Sequence, residues 1–236
     1  MYPKIRIKEL RPINLEGGYL IDGFPSMGFS SVIATESIIH TSQFKLAGII
    51  DSDIFPPVSL IKDGKPNYPT RIFVNDELKV AAFLSHLALE ESLHRNIAKK
   101  MLDWAKNKKI SLIISSVSVK STNRNEEIIA VGSTENATKK LRDAGMKILE
   151  FGTVPGIPGM LLNEGSLNQQ DVIVILFHSE GNGPDFRSSA KLCKAISQLI
   201  PGASCDITSL QAEAEKIEQR IKKDVEETKH TDSMYR

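Results

Sequence analysis

The chain is short of the features that let a metal, a membrane or a nucleic acid organise a protein. Its 236 residues hold two cysteines, Cys193 and Cys205, and neither sits at a spacing that pairs metal ligands. His40, His86, His94 and His230 share no spacing with cysteines or paired carboxylates that would build a zinc site. No metal and no cofactor is therefore expected. An excess of one charge is also missing: 30 Lys and Arg stand against 29 Asp and Glu, so no global field draws the chain to nucleic acid or an anionic membrane. Its partners must be recognised locally. Apolar runs such as VIVILF at 172–177 are strand-length, well short of the ~20 residues of a membrane helix. With no secretory signal ahead of the first strand-like run, a soluble cytoplasmic protein with reduced thiols is expected.

Repeats, low-complexity tracts and clear linkers are absent as well. A chain of this length buries roughly 70% of its unfolded surface, enough for a core that needs neither disulfide nor metal. One domain is the simplest expectation.

What is present is an alternation of strand and helix. IRIKEL reads as an early strand and GGYLIDGF, from Gly17, as a second. Val32, Ile33, Ile38 and Ile39 then fit a helix opening at Ser26 or Ser30. FKLAGIIDSD is a strand closed by a polar turn, and Pro56 and Pro57 forbid helix after it. From Val58 to Leu84 the chain reads as successive antiparallel strands, with turns at Asp63-Gly64 and Asn75-Asp76. A helix spans 90–108, feeding the buried strand SLIISSV. IIAVGS (strand), TENATKKLRDAG (helix stopped by Gly145), MKILEF (strand) and PGIPGMLLNEGSL (short helix with its loop) follow. VIVILF is expected as the central strand, and Pro184 opens the next amphipathic helix. The pattern predicts an α/β domain with helices on both faces of a mixed sheet.

The last element, about 206–229, carries a thin apolar stripe of Leu210, Ala214, Ile217, Ile221 and Val225 among charged residues. Such a stripe either docks on its own domain or pairs with another subunit.

Three places invite chemistry. GFPSMGFSS at 23–31 links a strand to a helix N-terminus, where backbone amides favour phosphate. Its glycine spacing fits neither a dinucleotide fingerprint nor a P-loop, and a tight turn explains Gly23, Pro25 and Gly28 equally well. Ser26 resembles a nucleophile, but Phe24 stands where a hydrolase elbow needs glycine. His178 and Glu180 end the central strand, where ligands bind in open α/β sheets. A small-molecule or nucleotide-binding enzyme using the 23–28 loop and these two residues remains the alternative reading.

Taken in order, GFPSMGFSS, DSDIFPP, GIPGMLLNEG and EGNGPDFRSSAKLCKAI resemble the archaeal branch of the proteasome assembly chaperone type-two family. The likeness runs from about residue 17 to 200 and rests on Gly23, Pro25, Gly28, Pro56, Pro57, Gly156 and Gly159 as signature-loop positions. It implies a three-layer α/β/α domain of the phosphorylase/hydrolase-like type over 1–204, a charged amphipathic helix over 205–229 and a flexible tail over 230–236. It also implies assembly into homo-oligomers and no established catalytic site; because several tails bind more tightly than one, a closed cyclic homo-oligomer is expected. Some relatives have been labelled ATP-grasp-related, a label that no phosphate-binding constellation here supports.

The chain ends TDSMYR, with two bulky side chains on a polar tail. The resemblance implies that Met234, Tyr235 and Arg236 form a hydrophobic-tyrosine-any-residue motif that docks between neighbouring α subunits of the proteasome core particle. Arg236 would offer its carboxylate to a pocket lysine, Tyr235 would bury its ring, and Met234 would fill an apolar recess.

Overall fold

Runs of β-branched and aliphatic residues form the interior of a nine-stranded mixed sheet in a computed structural model, which describes residues 5–26, 29–120, 127–179 and 183–214. In chain order the elements are β1 (Arg6–Glu9), β2 (Tyr19–Gly23), α1 (Ser30–Thr41), β3 (Lys45–Asp51), β4 (Leu60–Lys62), β5 (Lys65–Asn67), β6 (Thr70–Asn75), β7 (Val80–Ser85), α2 (Glu91–Asn107), β8 (Leu112–Lys120), β9 (Ile129–Gly132), α3 (Glu135–Asp143), β10 (Lys147–Ile148), α4 (Gly156–Leu167), β11 (Asp171–Ser179) and α5 (Phe186–Leu199). A further helix is described over residues 207–214.

The strands lie in the order β1-β3-β6-β7-β2-β8-β11-β9-β10. The middle of the sheet, β7-β2-β8-β11, is parallel, and antiparallel pairs flank it. Parallel strands need both faces covered, and their connections supply the cover. Side chains alternate along β8, so Leu112 and Ile114 meet α1, α3 and α5, whereas Ile113 meets α2 and α4. The result is the expected three-layer α/β/α arrangement. Trp104 of α2 stacks 4.9 Å from Phe83 and donates its indole N–H to Glu9 at 2.9 Å. The single tryptophan thereby ties the edge strand β1 to the helical layer. β1 itself, with sequence RIKE, carries charge on an otherwise open edge.

Local signals explain most boundaries. Gly145 adopts φ +67 and follows α3, while the Met146 N–H reaches back to Leu141 O at 3.0 Å, a C-terminal cap that glycine permits. Thr134 caps the start of α3 by accepting from the Ala137 N–H at 3.0 Å.

Several expectations shift. Of the two starts expected for α1, the helix takes Ser30. MKILEF contributes only Lys147–Ile148 to the sheet, as an edge strand paired with β9 alone, with the Leu149 N–H adding a bond to the Ala130 carbonyl at 2.9 Å. The Asp63-Gly64 hairpin, β4-β5, forms its own two-stranded sheet. VIVILF lies inside the sheet, in β11, but the central strand is β2. Pro184 sits just outside α5, whose cap is Asp185. The thiols are the largest correction: Cys193 and Cys205 are joined as a disulfide with Cα atoms 6.2 Å apart. A turn after α5 folds the chain back along the helix, a proximity that a search for metal-ligand spacings does not reveal.

Leu210 and Ala214 are buried, with Leu210 in the core shared by α1 and α5. The start of the C-terminal stripe therefore docks on its own domain, while Ile217, Ile221 and Val225 lie outside the described residues.

Gly159 shows how tightly α4 is placed. A Cβ there would lie 2.0 Å from the carbonyl oxygen of Val154. Gly159→Ala should therefore destabilise the fold by about 1–3 kcal/mol, read as a lowered midpoint in urea.

Candidate functional site

The parallel strands β7, β2, β8 and β11 end at one edge, the place where open α/β sheets gather ligands and loops. Most of the signature positions lie along it. Gly23 closes β2, and an added Cβ would come within 2.8 Å of Phe83 O and of the Thr35 methyl. Only glycine lets α1 and β7 approach β2 this closely. The chain then turns at Pro25, and Ser26 accepts from the Ser31 N–H at 3.1 Å and from its hydroxyl at 2.7 Å. Phe29, at the helix boundary, has a left-handed backbone and no capping side chain, so Ser26 does the capping. The Ser26 hydroxyl is thus committed to the helix start, and Gly28 lies outside the described residues.

One residue before Gly23, the carboxyl group of Asp22 is buried on the α2/α4 face. It accepts from the Ser115 hydroxyl at 2.6 Å and from the Phe24 N–H at 3.1 Å. Burial raises its pKa to about 6, against the opposing pull of those two hydrogen bonds and of His94. His94, on α2, donates to the Leu89 carbonyl at 3.2 Å and lies against Gly156, where a Cβ would sit 3.6 Å from its Nδ1. Gly156 opens α4 with φ +74, a conformation that itself favours glycine. Phe24, Phe55 and Ile157 share the same apolar cluster. Asp22 thus lies under the convergence of the 23–25 loop, the segment after β3 and the start of α4. Pro56 and Pro57 remain exposed beside Ile54 and Val58, where the Val58 N–H closes a turn on Pro56 O at 2.9 Å.

On the opposite face Ser116 bonds Ser31 at 2.8 Å. Asp185 gathers the end of β11 and the start of α5: it accepts from Ser179 at 2.8 Å, from the Ser188 hydroxyl at 2.7 Å and from the Ser188 N–H at 2.9 Å. The His178 carbonyl accepts from the Ser188 hydroxyl at 2.7 Å, while Glu180, its expected partner, lies outside the described residues. His86 sits 3.1 Å from Glu36, whose pKa its hydrogen bond lowers. Asp22, Ser115, Ser116 and Asp185 escaped sequence reasoning, although a carboxylate inside the apolar run LIDGF and an Asp three residues before Ser188 were both visible signals.

Gly159 lines a cleft of about 280 Å³ beside α4, walled by Val131, Leu149, Phe151, Val154 and Leu162. Phe151 is 97% exposed there, so no part of the described chain covers it. Among the described residues no group of three or more His, Cys, Asp or Glu side chains could hold a metal, and no helix is long and apolar enough to cross a membrane.

The profile of the PAC2 family matches residues 20–225. The chain belongs to the PAC2 family. The crystal structure of PbaA of Pyrococcus furiosus, described as an archaeal homologue of a proteasome-assembly chaperone, superposes with a TM-score of 0.85. The two share 26% identity, and the match covers 95% of this chain and 94% of that one. PbaB of the same organism, an archaeal proteasome activator, shares the fold at TM-score 0.77 and 21% identity, with 93% and 98% of the two chains covered. An uncharacterised protein of Methanocaldococcus jannaschii is 26% identical over 94% of this chain and 91% of its own length. Of the expected signature-loop positions, Gly23 ends β2, Gly156 and Gly159 lie in the first turn of α4, and Pro25, Pro56 and Pro57 lie in loops; Met234, Tyr235 and Arg236 lie outside the described residues.

The buried carboxyl of this PAC2 chain has a measurable consequence. Unfolded, Asp22 loses its proton near the usual pH of about 4; folded, it keeps it up to about 6. Stability contributed by Asp22 is therefore full below about pH 4 and falls through pH 6, by about 2–3 kcal/mol. Asp22→Asn should abolish that fall and be the more stable protein at pH 7, as read from urea denaturation curves across this range.

Proposed function

We propose that this protein binds the proteasome core particle, as an assembly chaperone or regulator of it, by docking Met234, Tyr235 and Arg236 between neighbouring α subunits. The end-to-end likeness to PbaA is the observation that carries this reading. The domain supplies a rigid body over 1–204, from which a charged helix over 205–229 leads to a docking tail over 230–236. The body contributes a fixed departure point: Leu210 and Ala214 hold the first turns of that helix against the domain.

A tail of three anchors binds weakly once the cost of ordering it is subtracted. Several tails on one body raise the effective concentration, so the protein acts as a closed cyclic homo-oligomer. Exposed apolar side chains support a subunit contact: Ile61, Phe151 and Leu167 are 69%, 97% and 79% exposed in the single chain. The protein is a cytoplasmic binding protein, not an enzyme. It needs no cofactor, and its partner is neither nucleic acid nor membrane.

Deleting residues 234–236 should reduce co-purification with proteasome particles at least tenfold while leaving the oligomer intact. Undiminished binding would exclude the tail as the docking element. Tyr235→Ala compared with the full chain, on free α subunits and on mature core particles, separates the roles. Capture of free α subunits marks an assembly chaperone, and capture of mature particles alone marks a regulator.

A further inference from the structure

The C-terminal helix begins at a junction tied to the domain by several contacts of unequal strength. Ala203 is buried, and the Ser204 N–H donates to the Ser42 hydroxyl at 3.0 Å. Ser42 is itself braced by Asn75, which donates to its carbonyl at 2.7 Å. The Asp206 N–H reaches the Ser37 hydroxyl at 3.3 Å, and Asp206 caps the helix by accepting from the Ser209 N–H at 2.9 Å. These are hydrogen bonds at a partly exposed junction, of modest individual strength. The covalent tie is different in kind. Cys193 is fully buried in the middle of α5, and its partner Cys205 immediately precedes the capping Asp206. The bond therefore acts at the origin of the helix.

We propose that the Cys193–Cys205 bond is a redox clasp on the C-terminal helix. As a disulfide it locks the helix origin to α5; as two thiols it leaves the origin held only by the serine contacts and the burial of Ala203, Leu210 and Ala214. The two sulfurs are unequally placed for this role, since Cys205 is half-buried and Cys193 has no exposure. A dithiol reductant attacks the sulfur of Cys205, the less buried residue of the pair, forming a mixed disulfide and expelling the Cys193 thiolate, which takes a proton. The second thiol of the reductant then displaces Cys205. Two protein thiols and one cyclic reductant disulfide result, with two electrons and two protons transferred. Closing a loop of 12 residues separation shifts the balance between closed and open junction by about a hundredfold. The consequence for partner binding rests on tail docking: the oxidised protein presents its tails from a fixed origin, and the reduced protein from a looser one.

Hydrogen exchange on the full-length protein, treated with oxidised or with reduced dithiothreitol, tests the clasp. Amides of 203–214 should exchange about a hundredfold faster after reduction, while the β2, β8 and β11 amides are unchanged. Cys205→Ser should exchange at the fast rate under both conditions, and maleimide labelling of the urea-unfolded protein should count two thiols after reduction and none after oxidation. Two reactive thiols after oxidation, or equal exchange of 203–214 in the two states, would overturn the proposal. Proteasome capture by the oxidised, tail-deleted protein separates the two ideas: retained binding refutes tail docking and leaves the exchange result to judge the clasp.

Discussion

Two adjacent serines on β8 hold the working edge of the sheet from opposite sides. Ser115 donates to the buried Asp22 carboxyl on the α2/α4 face, and Ser116 meets Ser31 at the start of α1 on the other. Successive side chains on a strand must point to opposite faces, so one dipeptide serves both helical layers. β2 is bound from both sides, with Gly23 pressed between Thr35 and the Phe83 carbonyl. The loop that follows inherits its direction from this seam, and so do the first turns of α1. A buried carboxyl costs stability unless it is well partnered, and the raised pKa of Asp22 records that cost.

The signature loops are explained by packing more than by chemistry. Gly23 and Gly159 sit where backbone from another segment leaves no room for a Cβ, and Gly156 has a backbone angle that side chains resist. Ser26 caps a helix whose own boundary residue, Phe29, does not. The most distinctive residues in the first part of the chain therefore fix how helices leave the sheet. This suits the proposed role of the domain as a platform for a docking tail.

The strands were legible because their residues leave little choice: VIVILF carries no charge, β2 ends on Gly23, and Gly145 stops α3 with the left-handed geometry glycine allows. Pairing order was not legible, because it depends on contacts remote in sequence. Asp22 finds Ser115 across 93 residues, and β2 rather than β11 becomes central. MKILEF has the composition of a strand but lies at the sheet's rim, where only Lys147 and Ile148 are in register with β9. The disulfide was hidden for a related reason. Spacing in sequence says nothing of the turn that returns Cys205 to α5. At the candidate site the glycines and prolines were visible as loop-formers, whereas the carboxyl group and serines that organise the edge were not, since each is an ordinary polar residue until its partner is known.

A fixed domain and a charged helix rooted upon it make sense together if the chain end is what meets the partner. Photo-crosslinking from position 235 tests this most directly. With a photoreactive phenylalanine derivative in place of Tyr235, irradiation in the presence of proteasome particles should give an adduct with an α subunit. A short peptide ending in Met-Tyr-Arg should suppress it. An adduct formed only with the protein's own chain, unaffected by that peptide, would contradict tail docking.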